Sequence, residues 1–137
     1  DHAGIFALIA GTFTPVAMLR SHGHWDFWLS LMWGSAVAGA SFVIAFSHAH
    51  RGLRAAVYVA IGFVAAPIML SLPSLIGAGR VGWLLVGAAL YIVGAAVYAR
   101  RWPNFRPQIF GYHEFFHLLV IAAAAAHYAV VIDLQFS

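Results

Sequence analysis

Val81-Gly-Trp-Leu-Leu-Val-Gly-Ala-Ala-Leu-Tyr-Ile-Val-Gly-Ala-Ala-Val-Tyr-Ala99 carries no charge, and arginines close it at both ends, Arg80 before it and Arg100-Arg101 after it. A hydrocarbon core of ~30 Å takes about 20 apolar residues of helix, so this stretch reads as a membrane span. Strands do not explain it, because period-2 alternation is absent and a barrel strand needs only about ten residues. Four more stretches read the same way, at 3–19, 27–47, 55–78 and 109–132. Only the last holds a charge, Glu114, which sits between His113 and His117 near its start. The fold predicted is an all-α membrane protein, a bundle of five transmembrane helices forming a single domain over 1–137.

The composition of the whole chain agrees. Hydrophobic side chains make up 64% of the 137 residues and charged ones only 8%, against about 25% charged in soluble domains. That balance excludes a disordered chain and a nucleic-acid module, and the absence of Cys excludes a disulfide scaffold. The chain opens on Asp1 rather than Met, within an apolar region, and is read as an N-terminally truncated piece with no recognisable targeting segment.

All seven basic residues are arginines, and they sit in the joints. The second and fourth joints hold Arg51, Arg54, Arg100, Arg101 and Arg106; the first and third hold Arg20 and Arg80, partly offset by Asp26. Positive-inside counting puts the second and fourth joints in the cytoplasm. The Asp1 end is then cytoplasmic and the tail from Asp133 external. Trp25, Trp28 and Trp83 fall at outer helix ends, with Tyr98 and Trp102 at an inner one, as interfacial anchors do. Gly34 with Ala38, Ser35 with Gly39, Gly87 and Gly94 are expected to let helices approach closely. Pro15, Pro67 and Pro73 are expected to kink their spans.

His113-Glu-Phe-Phe-His117 is where chemistry is expected. Residues four apart on a helix differ by about 40° of rotation and ~6 Å of rise, so both imidazoles project from one side, as two ligands of one metal do. Imidazoles and a carboxyl at membrane depth mark a functional site by default. The alternative is hydrogen bonding within the bundle or snorkelling to the interface. Zinc is the expected ion, because imidazole suits it and a catalytic site has three protein ligands and an open position. The segment also satisfies His-Glu-x-x-His, the metalloprotease signature, but no downstream ligand is well placed. His127 lies ten residues beyond His117, ~15 Å along the helix, and Asp133 ~24 Å along it.

Whatever completes the site must come from the cytoplasmic side. Asp1 is placed there by parity, level with the start of the last span, and is the candidate catalytic acid that would polarise a water or act as general base. An ordinary helix N-cap reads it equally well. His48 and His50 fit a solvated interfacial pair better than ligands, His2 is ambiguous, and His22 and His24 are external.

Two segments carry a family resemblance. Asp1-His-Ala-Gly-Ile-Phe-Ala-Leu-Ile-Ala-Gly-Thr-Phe-Thr-Pro15 resembles the opening of the third membrane helix of the haemolysin III family, the bacterial branch of the progestin and adiponectin receptor superfamily. Trp102-Pro-Asn-Phe-Arg-Pro-Gln-Ile-Phe-Gly-Tyr-His-Glu-Phe-Phe-His117, continuing to His127-Tyr128, resembles its seventh helix and the loop before it. The resemblance implies a truncated seven-helix fold with this chain supplying helices three to seven, the N-terminus inside and the C-terminus outside. It implies a zinc ion held by three histidines. Two match His113 and His117, and the third belongs to a second-helix Ser-x3-His that this chain lacks. It implies a water on the metal held by the aspartate matching Asp1, and it assigns Glu114 no catalytic role.

Function follows as expectation. The family is implicated in lipid hydrolysis, including ceramide amide cleavage, so a zinc-dependent hydrolase of a membrane lipid amide or ester comes first. A membrane-stress sensor or receptor with structural zinc comes second. A pore-forming haemolysin comes third, because polar groups cluster at helix ends and leave no polar stripe across the bilayer.

Overall fold

The computed structural model describes residues 2–106 and 108–136, and it is all-helical there apart from one isolated bridge. Seven helices follow in order: α1 (His2–Arg20), α2 (Phe27–Ala45), α3 (Arg51–Phe63), α4 (Ala66–Ser71), α5 (Pro73–Ile76), α6 (Ala78–Arg100) and α7 (Tyr112–Phe136). Phe27–Ala45, Arg51–Ser71, Ala78–Arg100 and Tyr112–Phe136 are long and apolar enough to cross a membrane, and Gly4–Arg20 is a shorter apolar helix. The chain is an all-α membrane protein. Its outward-facing side chains agree: Val37, Ile44, Leu70, Val93 and Ile121 are all exposed in the protein alone, a surface that water would not tolerate at this extent.

The third span is the one that breaks. Pro67 has no N–H for the Phe63 carbonyl, so the chain tightens there, with Val64 and Ala65 donating three residues back to Ile61 and Gly62. Pro73 interrupts the ladder again and starts α5, and Gly77, at φ 85°, ends it. The expected kinks at 67 and 73 thus divide the span into α3, α4 and α5, while Val64, Ala65 and Leu72 between them keep right-handed helical backbone. The last span starts at Tyr112 rather than near residue 109, because Arg106 and Phe110 pair as an antiparallel bridge and hold that stretch in a turn.

Packing closes the rods into a ring: α1 on α2, α2 on α3, α3 on α6, α6 on α7, and α7 back on α1. Phe6, Val16, Leu29, Met32, Ile68, Leu72 and Leu84 are its largest fully buried side chains. Gly39 lets Phe6 and Ile61 press onto α2, and Gly87 lets the His127 ring press onto α6. Gly34, expected at a close approach, meets nothing within 4 Å of where a Cβ would be.

The two ends of the ring differ in charge. At one end Arg20 pairs with Asp26 and Arg80 with Asp133. The other end gathers Arg51, Arg54, Arg100 and Arg101 around one cavity. Arg51 donates to the Tyr112 hydroxyl at 2.6 Å, and Arg54 lies over the Tyr98 ring, which ties the starts of α3 and α7 to the end of α6.

Candidate metal centre

The first turn of α7 is built by a cap. Glu114 Oε2 accepts the Gly111 N–H at 2.9 Å, the reach-back of a third-position Glu to the N-cap residue. One oxygen of its carboxylate is therefore engaged along the backbone of its own helix, in the role of a cap.

His113 and His117 do converge. Their Nε2 atoms lie 3.1 Å apart, with the rings nearly perpendicular at 87°. Two nitrogens bonded to one tetrahedral zinc at ~2.0–2.1 Å stand about 3.3 Å apart. The observed separation fits two corners of such a site. Phe116 lies between them in sequence, is buried, and packs on Tyr98 at 5.3 Å, which fixes the helix face that carries the pair.

No third ligand joins the pair among the described residues, where no group of three or more His, Cys, Asp or Glu forms. Asp1, the candidate catalytic acid, lies outside the described residues. His50 caps α3, its Nδ1 accepting the Gly52 N–H at 3.1 Å, and His48 lines the basic cavity beside it. His22 and His24 stand in the turn after α1, at the opposite end.

His127 is a satisfied core histidine. Its Nε2 lies 3.1 Å from the Leu84 carbonyl, which can only accept, so Nε2 carries the proton in the arrangement this geometry assigns. Its Nδ1 lies 3.3 Å from the Thr12 hydroxyl. Both ring nitrogens are engaged within the bundle.

Inside the ring lies an apolar cavity of about 410 Å³, which Phe116, between His113 and His117 in sequence, helps to line. Ile5, Tyr58 and Phe116 line it toward the pair, and Phe13, Met32 and His127 line it deeper. Phe63, Leu70, Leu85 and Ile92 also border it and are themselves well exposed, so it opens sideways between the broken third span and α6. The buried hydroxyl of Tyr58, one of its lining residues, has no hydrogen-bond partner among the described residues. The amino-acid pattern gave no sign of this cavity, because only the closure of the ring creates it.

Comparison with known proteins extends the picture. A family model described as "Haemolysin-III related" matches residues 1–128. The chain is 35% identical to an adiponectin receptor protein of Drosophila melanogaster over 93% of its length and 33% of that protein's. It is 32% identical to a hemolysin-3 homolog of Bacillus subtilis, over 96% of this chain and 60% of the relative, and 30% identical to a progestin and adipoQ receptor-like protein of Caenorhabditis elegans, over 100% and 36%. It therefore spans between a third and three fifths of these relatives. No solved structure matches significantly.

Proposed function

The chain belongs to the haemolysin-III-related family of multi-pass membrane proteins, and from that premise we propose that it carries part of a zinc-dependent hydrolase site acting on a membrane lipid amide or ester. The supporting observation is the convergence of His113 and His117 on either side of Phe116, a residue that lines a cavity fit for an acyl chain. His113 and His117 would hold the ion, with a third ligand supplied from outside the described residues. Zinc, when bound, supplies a Lewis acid that polarises a carbonyl and acidifies water.

The protein's own residues do the rest. The cavity, within the ~300–1,000 Å³ of small-molecule sites, holds the hydrocarbon chain and excludes water, and its lateral mouth admits lipid from the bilayer. Phe116 aligns the chain's head with the imidazoles. Asp1, as general base, would take a proton from the attacking water. The site would lie at the cytoplasmic face of a bacterial inner membrane, with the C-terminus outside, since five arginines gather at that end.

A second reading, a receptor or stress sensor with structural zinc, is favoured by the names of the fly and worm relatives. A pore gains nothing from a cavity lined almost wholly by apolar side chains.

Hydrolysis of a lipid amide and a lipid ester by the intact zinc-loaded protein separates these readings. The hydrolase reading expects cleavage that Asp1→Asn lowers at least about 100-fold while zinc stays bound. Full biological function in Asp1→Asn with zinc retained would instead favour the sensor.

A further inference from the structure

At the arginine-rich end, a second cavity of about 450 Å³ lies between the α2–α3 joint and the end of α6, apart from the His113–His117 pair. His48, His50, Arg51, Arg54, Arg100 and Arg101 line it, and no carboxylate does among the described residues. The two described carboxylate–arginine pairs, Arg20–Asp26 and Arg80–Asp133, are both at the opposite end. Four guanidinium groups around one hollow repel each other unless an anion joins them.

The walls are held from behind. Tyr112 takes one N–H of Arg51, and Arg54 is braced over the Tyr98 ring with its Nε buried and without a hydrogen-bond partner among the described residues. The N–H of Gly52 goes to Nδ1 of His50, so Nε2 carries that ring's proton and adds a donor. Donors of this number and geometry suit the oxygens of a phosphate, which guanidinium forks bind in pairs.

We propose that this cavity binds a phosphate group, and that its source is the headgroup of an anionic membrane lipid. Depth favours the lipid over a soluble phosphate. Phe46 and Trp102, both exposed, flank the cavity in sequence where the apolar spans end, as interfacial aromatics do at headgroup level. Basic hollows between helices at the cytoplasmic face are a recurrent form of anionic-lipid site.

The test uses the intact protein in nanodiscs of phosphatidylcholine alone or with phosphatidylglycerol, and separately with inorganic phosphate in solution. Phosphatidylglycerol is expected to raise the melting temperature saturably above that in phosphatidylcholine. Arg100→Gln with Arg101→Gln is expected to weaken that binding about tenfold or more, as loss of charge-assisted hydrogen bonds does. Arg80→Gln, at the opposite end, is expected to retain it. Equal melting temperatures of the double variant and the wild type in pure phosphatidylcholine show that the variant folds, and Arg100→Lys with Arg101→Lys replaces it if they differ. Saturable stabilisation by inorganic phosphate, with none by phosphatidylglycerol, would overturn the lipid source and keep the phosphate site. No arginine-dependent response to either probe would overturn the site itself.

Discussion

Gly87 has no side chain because the His127 ring stands where its Cβ would be, with the Ala123 carbonyl 3.1 Å from the same point. Gly87→Ala is expected to push α6 from α7 and cost about 1–3 kcal/mol, read as a lower melting temperature in detergent. An unchanged value would mean that His127 can swing away without loss, against its two hydrogen bonds. Glu114 makes a complementary case. Its cap to Gly111 needs only an acceptor, which glutamine also provides, so Glu114→Gln should leave hydrolysis within about twofold. A general base at that position would instead lose about 100-fold or more. His113 and His117 were legible as a pair because a four-residue interval on a helix fixes their common side. The engagement of both His127 nitrogens was not legible, since Thr12 and Leu84 come from other helices.

Helix positions were largely readable from where charges stop and apolar runs begin, and the exceptions have local causes. Pro67 and Pro73 marked the weak points of the third span, but whether a proline kinks or breaks a helix depends on packing, here of Ile68 and Leu72, both fully buried. Ile109 and Phe110 look like the start of α7 by hydropathy, yet the pairing of Arg106 with Phe110 withholds them. The start of α2 is set by Asp26, whose side chain accepts the Leu29 N–H at 2.9 Å and also meets Arg20. The Leu29 N–H foremost, and then the Arg20 guanidinium, hold the Asp26 carboxyl below its ordinary value of 3.8. A lowered acid stabilises above its ordinary pKa and loses that contribution as pH falls through its folded value. Asp26→Ala should therefore cost about 1 kcal/mol at neutral pH, and the difference from wild type should shrink below about pH 3.8. A difference that persists unchanged in acid would assign the effect to packing rather than to the cap.

On the scale of the whole molecule, ring closure does what no single span specifies. It separates an ion-paired end from an arginine-lined end and encloses an apolar chamber that Phe116 and His127 of α7 help to line. The sidedness proposed from the arginines can be read with single cysteines, since this chain has none of its own. In intact cells a membrane-impermeant maleimide should label His24→Cys and not His48→Cys, both at exposed positions; the reverse pattern would invert the topology. Metal analysis of the purified intact protein reaches furthest. If the two α7 imidazoles hold zinc, the wild type carries about one zinc per chain, His113→Ala and His117→Ala lose it, and His127→Ala keeps it. A wild type without stoichiometric zinc, or zinc retained when both His113 and His117 are replaced by alanine, would contradict a metal centre at this pair.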